Sequence, residues 1–282
     1  MITRRHGYLA YRSDAAPAAS KALESTGYCV LPGVFSATET AELVADIHRV
    51  FEAYPPDQRS SVRPPAAAEM FRYEMLNRSS LCHQAIAHRG ILDVLEPLLG
   101  EDCHVIANTA WRNPPDSTGQ HGGDRWHIDA GPHIPLAPGI TWPDDIPHPV
   151  FAVGCHIYLQ SCGLADGPTG VIPGSHLSGC TPPADRLLDD ALQYQGRGVE
   201  PLLAEPGDVG LFVSDVWHRR MPTAPGDQGR FFLQVHYGRR DIAQRLRTTD
   251  QSNQLSASAI SKATETRSRQ LIGLHQPLFY DG

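Results

Sequence analysis

The chain lacks the features that most quickly assign a protein to a class. None of its apolar runs approaches the ~20 residues needed to cross a bilayer, and the stretch Met1 to His6 leads into no signal-peptide core. A cytoplasmic protein with no membrane partner is therefore expected. Its cysteines, Cys29, Cys82, Cys103, Cys155, Cys162 and Cys180, contain no C-x-x-C pair, which disfavours both a zinc knuckle and a disulfide framework. Buried free thiols are expected instead, because Cys packs as a small apolar residue. There is no excess of positive charge either: 24 Lys and Arg against 31 Asp and Glu leave a net charge of −7. Such a surface offers no field for a phosphate backbone, so nucleic acid is not an expected partner. No internal repeat or dividing linker is visible. With 282 residues, 41% of them hydrophobic, the chain can bury a full core, and one domain over residues 1–282 is expected.

What is present changes character along the chain. Up to about residue 100 the pattern is helical. Ser36 and Glu39 form a capping box, and behind them Leu43, Val44, Ile47, Val50 and Phe51 recur at helical spacing. Glu69 to Leu76 and Ile91 to Leu99 read as further helices, the second closed by Gly100 and weakened by Pro97. From about residue 101 to 240 the period becomes two, with strands expected at 104–111, 153–160, 209–213 and 230–237. Strands joined by long Gly- and Pro-rich connections without alternating helices indicate an antiparallel barrel or sandwich. A tail of about 241–282 follows. The connections 113–125 and 131–149 are long enough to be binding segments, and the second is the candidate substrate-covering loop.

Chemistry concentrates on the triplet His127-Ile128-Asp129, followed at a distance by His218 and, twelve residues later, by Arg230. Two imidazoles and one carboxylate on one face of an iron leave its other positions open, and a nearby cation can hold an acidic co-substrate. In an extended segment residues i and i+2 share a face, so His127 and Asp129 point together. The same alternation collects Arg230, Phe232, Gln234 and His236 on one face, and His156, Tyr158 and Gln160 on another. A barrel interior lined this way is a site, since a purely structural one would be filled by Val, Leu and Ile. Taken singly, each histidine is as well explained by a surface or hydrogen-bonded core position. The order of H-x-D, turn-rich segment, distal His and strand-opening Arg carries the weight.

Trp126-His127-Ile128-Asp129, the run from Asp166 through Gly167-Pro168-Thr169-Gly170 to Pro173-Gly174-Ser175-His176, Glu205-Pro206-Gly207-Asp208-Val209, Trp217-His218 and Arg230 together resemble the phytanoyl-CoA dioxygenase-like family of iron(II)/2-oxoglutarate-dependent oxygenases. The likeness covers roughly 27–240, with a looser echo at 269–275. It implies a mainly β fold with flanking helices around a double-stranded β-helix, a jelly-roll core of cupin type. It further implies His127, Asp129 and His218 as Fe(II) ligands, and Arg230 as partner of the distal carboxylate of 2-oxoglutarate, a role that suits the planar guanidinium fork. The activity implied is oxidation of a small molecule with conversion of 2-oxoglutarate and O2 to succinate and CO2. Asp129 favours hydroxylation, desaturation, epoxidation or ring closure over halogenation, because halogenating relatives have Ala or Gly there.

Several positions depart from the family. Arg220 and Thr223 stand where Ser and Asn are frequent, His156 where an aromatic residue is common, and Asp124 where a small or amide side chain often helps hold the co-substrate. Thr223 and His156 remain candidates for secondary co-substrate contacts. Asp124 would repel a dicarboxylate unless it pairs, for example with Arg125. His176 reads as a loop-fixing residue, and Asp215 as a group supporting His218. His133, Trp142, Tyr158, Phe232, Gln234 and His236 are the expected substrate lining, suited to a polar secondary metabolite. The competing readings are a non-catalytic binding or sensing barrel and a cupin-type metal oxygenase that needs no 2-oxoglutarate.

Overall fold

The computed structural model describes residues 17–55, 70–116, 122–137, 139–244 and 255–276, and the backbone of two short paired strands, β1 (Thr3–Arg5) and β2 (Tyr8–Ala10). Helix α1 (Ala18–Thr26) leads into strand β3 (Tyr28–Leu31), and helix α2 (Ala37–Ala53) follows. The remaining strands are β4 (Phe71–Tyr73), β5 (His104–Asn113), β6 (Ala152–Tyr158), β7 (Thr169–Val171), β8 (Glu200–Pro201), β9 (Val209–Val213), β10 (His218–Arg220) and β11 (Arg230–Gly238). They form a six-stranded sheet in the order β3-β9-β6-β11-β5-β4 and a three-stranded sheet in the order β10-β7-β8. Every strand pairing is antiparallel. The two sheets and their flanking helices make the jelly-roll core.

Period-two patterning explains why the large sheet buries both faces differently. Leu233, Val235 and Tyr237 of β11 register with Ile157, Cys155 and Val153 of β6, and all of them join the main apolar core with Leu43, Ile47 and Val50 of α2 and Ile91, Leu92 and Leu95 of the helix Arg89–Leu99. On the opposite face Phe232, Gln234 and His236 lie beside Tyr158, His156 and Gly154. Bulky rings there alternate with glycines across β6 and β9. A Cβ on Gly154 would sit 2.5 Å from the Phe212 ring, and one on Gly210 would sit 3.2 Å from Tyr158.

The capping box at Ser36 is formed: Ser36 Oγ accepts from the Glu39 amide at 3.3 Å, and Glu39 Oε2 accepts from the Ser36 amide at 2.8 Å. Ser36→Ala is expected to lower stability by ~1 kcal/mol, read as a lower urea midpoint at unchanged slope. At the far end of the chain, Arg267 donates to Glu96 Oε1 at 3.0 Å and to the Cys103 carbonyl at 2.7 Å. The tail thereby docks on the start of β5.

The structure corrects several expectations. Glu69 lies outside the described residues, and Phe71–Tyr73 is an edge strand, not a helix. Its alternating rings pair with β5, Phe71 meeting Trp111 at 5.3 Å, and Glu74 at φ 55 breaks the chain before a single helical turn at Met75–Arg78. His127 belongs to no continuous strand; it makes one isolated antiparallel bridge to His218. Cys180 is exposed and Cys29 half-buried, whereas the other four cysteines are buried. Cys180 serves through its backbone, its carbonyl accepting the Trp217 indole N–H at 2.8 Å. In the connection 113–125, residues 117–121 lie outside the described residues. Among the described residues, no helix is long and apolar enough to cross a membrane.

Candidate metal centre

The isolated bridge between His127 and His218 brings the two halves of the motif together. Reciprocal backbone bonds of 3.0 Å join them, and Asp129 N bonds to Ser214 O at 3.0 Å. The ligand-capable atoms of His127, Asp129 and His218 all fall within 4.8 Å of one another. His127 Nδ1 donates to the Arg125 carbonyl at 2.8 Å, and His218 Nδ1 donates to the Val216 carbonyl at 2.9 Å. With each proton held on Nδ1, the Nε2 lone pairs are free to face Asp129, at 3.9 Å from Oδ1 for His127 and 3.5 Å from Oδ2 for His218. Asp129 Oδ2 is buried without an in-line hydrogen bond among the described residues. Two imidazoles and a buried, under-satisfied carboxylate fit a divalent cation with open positions, the donor set of a non-haem iron site.

The electrostatics agree. Burial alone would raise the Asp129 carboxyl and lower His218, yet their mutual attraction, helped by His236 on the carboxylate, holds Asp129 well below its ordinary range and lifts His218 above its own.

Arg230 opens β11 at the deep end of the same face. It is 7% exposed, and its contact to Asn113 Oδ1 is a long 3.4 Å. Its Nε is buried without a partner, and no carboxylate lies within ion-pair distance among the described residues. Burial, then the neighbouring Arg220 guanidinium, brings Arg230 down to about 10, so it remains charged at neutral pH. Arg220 is also buried, and its Nε likewise lacks a partner. Its lowering by burial is countered by Asp124 first and Asp227 next. The Asp124 charge acts on Arg220, whose backbone carbonyl also accepts from the Asp124 amide at 3.0 Å.

The remaining expected residues separate into groups. His156 is buried in an aromatic nest, 4.4 Å from Phe232 and 5.2 Å from Phe212. Burial, then Arg230, keeps it neutral by pushing its pKa well down. Tyr158 is 2% exposed and packs with Cys162, Ala204 and Phe232. The Thr223 hydroxyl donates to Asp116 Oδ2 at 3.1 Å. Trp142 closes its own loop, its indole N–H on the Ile146 carbonyl at 2.6 Å and its ring edge-on to His148.

Asp215 does not support His218, whose Nδ1 is taken by a carbonyl. Instead it grips the segment 131–149, accepting from the His133 amide at 2.8 Å and from His133 Nδ1 at 2.7 Å. The grip needs Gly131, where φ is +113 and a Cβ would fall 2.2 Å from Asp215 Oδ1. Asp215→Ala is expected to free residues 131–149, seen as faster limited proteolysis within that loop at unchanged global Tm; unchanged cleavage would dismiss the grip.

His176 fixes another loop, its Nε2 donating to the Glu24 carbonyl at 2.9 Å. Burial takes its pKa down to about 4. Protonation then favours the unfolded chain, whose histidine titrates near ~6.5, so this stability is complete above that pH and is lost as the pH falls towards 4, by up to ~3 kcal/mol. His176→Gln is expected to flatten the loss of stability seen by urea unfolding between about pH 7 and pH 5.

Sequence reasoning did not single out Trp111 or the nearness of Asp124 to Arg220. For Trp111 the signal was available, because alternation along 104–113 puts it on the same face as Thr109, and β5 sets these residues opposite Phe232 and Gln234.

A profile of the family described as phytanoyl-CoA dioxygenase matches residues 23–222. No curated protein matches the chain. Among solved structures, EctD from S. alaskensis with 2-oxoglutarate and 5-hydroxyectoine is 24% identical, covering 82% of this chain and 79% of its own, with a TM-score of 0.61. HygX from Streptomyces hygroscopicus with nickel and 2-oxoglutarate is 15% identical, covering 83% and 90%, at 0.60. The epimerase SnoN with Fe3+, alpha ketoglutarate and nogalamycin RO is 18% identical, covering 78% and 82%, at 0.57. At such identities the likeness establishes the shared fold.

Proposed function

This chain belongs to the phytanoyl-CoA dioxygenase family, and from that premise we propose that it is an iron(II)- and 2-oxoglutarate-dependent oxygenase acting on a small polar metabolite. The observation that carries the reading is the convergence of His127, Asp129 and His218, whose ligand-capable atoms lie within 4.8 Å of one another. When bound, iron(II) and 2-oxoglutarate supply oxygen activation, with 2-oxoglutarate and O2 converted to succinate and CO2. The protein's part is to hold, orient and exclude water.

His127 and His218 enter as neutral donors fixed through Nδ1, and Asp129 as the anion. Arg230 presents unspent donors at the end of the same face, and a guanidinium fork there takes the distal carboxylate of the co-substrate. Arg220 adds positive charge to that end, while its partner Asp124 limits the excess. His156, neutral beside Arg230, walls the co-substrate without competing for the cation. Thr223, its hydroxyl committed to Asp116, shapes the adjoining loop rather than supplying a donor of its own.

On the substrate side, Gln234 and Trp111 offer a hydrogen-bonding rim above Phe232, and the loop 131–149, held by Asp215, covers it. Rings mixed with amides suit a polar molecule of moderate size better than a long acyl chain. The solved relatives were captured with 5-hydroxyectoine, hygromycin B and nogalamycin RO, which supports a small-molecule substrate. The acyl-CoA of the family description is not carried over, because fold and metal chemistry do not fix the substrate. With Asp129 in place, hydroxylation or a related C–H oxidation is the proposed outcome. The test is succinate release from 2-oxoglutarate with added iron(II) and ascorbate, alone and with a panel of polar metabolites. Absence of succinate under every condition would sink the proposal.

A further inference from the structure

His236 occupies an unexpected place for a substrate-lining residue. Its strand neighbours across the sheet are Ala107 and Gly154, two small residues that leave room for the imidazole on the interior face. There its Nε2 lies 3.0 Å from Asp129 Oδ2, closer than either histidine of the triad comes to that carboxylate. Its side chain is only 12% exposed.

The residues behind it determine which way the hydrogen bond runs. Trp111 Nε1 is a donor and nothing else, and it sits 2.6 Å from Gln234 Oε1. The Gln234 carboxamide is thereby fixed with its oxygen towards Trp111 and its NH2 towards His236, at 3.4 Å from Nε2. An amide NH2 cannot accept a proton from an N–H. Asp129 Oδ2, an acceptor when ionised, is then the one group beside Nε2 among these contacts that can take its hydrogen. The contact is short but off-axis, since Oδ2 makes no aligned hydrogen bond among the described residues.

We infer that His236 is a positioning residue for Asp129: it holds Oδ2 by an Nε2–H donor, for whose hydrogen Gln234, its oxygen held by Trp111, does not compete, and so commits the carboxylate to bind the metal through its other oxygen. This rests on the reading of His127, Asp129 and His218 as a metal centre. A carboxylate restricted to one metal contact leaves one more position open than a chelating carboxylate would, and a site that must accept a bidentate co-substrate and O2 needs that position. The role is that of an outer partner that orients a ligand, whose loss typically lowers metal affinity by ~10- to 100-fold.

The test uses Co(II) as the probe, titrated into the metal-free full-length protein and followed by its visible absorption. Wild type is expected to bind. His236→Ala is expected to weaken Co(II) binding by ~10- to 100-fold and to shift the absorption towards a different coordination number, while His236→Gln, which keeps an N–H donor, recovers most of the affinity. Trp111→Phe, which releases the Gln234 carboxamide, is expected to fall between wild type and His236→Ala. If the alanine variant does not fold, the glutamine and phenylalanine variants carry the comparison, and wild-type affinity and spectrum in Trp111→Phe, where the freed Gln234 oxygen can take the His236 hydrogen, then overturn the inference. Unchanged Co(II) affinity and spectrum in folded His236→Ala overturn the inference. If wild type binds no Co(II), or Asp129→Ala binds it as well as wild type, the metal-centre reading itself fails and takes this inference with it.

Discussion

Replacing Asp129 by alanine is expected to reduce iron-dependent succinate formation to background. The carboxylate is the one anion among the three ligands, and it sits largely buried between two imidazoles whose lone pairs face it. Without it the site offers two neutral donors to a divalent cation in a partly desolvated place, and the charge that makes cation burial tolerable is gone. His127→Ala is expected to give the same loss of turnover by removing a donor. The measurements that check this are Co(II) titration and succinate release side by side. An Asp129→Ala protein that binds the metal normally and still produces succinate would show that the triad is not the working centre.

The second large effect is expected from Arg230→Ala. A buried guanidinium with unspent donors is costly unless an anion completes it, and truncating one partner of a buried charge pair commonly costs about 2–5 kcal/mol. For a carboxylate ligand that corresponds to a rise of roughly 30- to 4,000-fold in dissociation constant. The loss should appear in the affinity for 2-oxoglutarate, while Co(II) affinity stays close to wild type. Arg230→Lys keeps the charge but loses the fork and is expected to fall between the two. Arg220→Ser, which removes the additional positive charge, is expected to have a smaller effect in the same direction. Direct titration of metal-loaded protein with 2-oxoglutarate separates these cases. Unchanged affinity in Arg230→Ala would transfer the carboxylate to another residue.

The parts of the fold visible in the sequence were those governed by local periodicity. The capping box at Ser36 and the apolar stripe of α2 are satisfied within a few residues of chain, and β9 and β11 announce themselves by alternation. The strand Phe71–Tyr73 escaped because three residues are too few to show a period, and its pairing with Trp111 comes from a segment far along the chain. His127 and Asp129 were expected on a strand, and they come together without one, because a single bridge to His218 and one bond to Ser214 O are enough to hold them.

Asp215 shows the same limit from the other direction. Its nearness to His218 in sequence suggested support for that ligand, but the turn between β9 and β10 carries its carboxylate to His133 instead. A backbone carbonyl meets the need of His218 two residues away, leaving the carboxylate free to fasten the segment 131–149 through His133. Asp124 and Arg220 each looked like an isolated departure. The bond from Asp124 N to Arg220 O, which joins segments almost a hundred residues apart at 3.0 Å, brings them side by side, and the Asp124 charge acts on the Arg220 guanidinium.

By itself the sequence determined the family, the helical and β halves of the chain, and the set of groups from which a metal and dicarboxylate site could be built. Those follow from residue types and short-range spacing, which the chain carries whatever its fold. The tertiary structure alone decided which of these groups meet: the three donors within reach of one cation, Arg230 buried with donors to spare, Asp215 on His133, and His236 beside Asp129 Oδ2. Partners of this kind are chosen by strand register and loop closure across the whole barrel, and the energy of a buried charge or hydrogen bond depends on what stands opposite it, which no local pattern encodes.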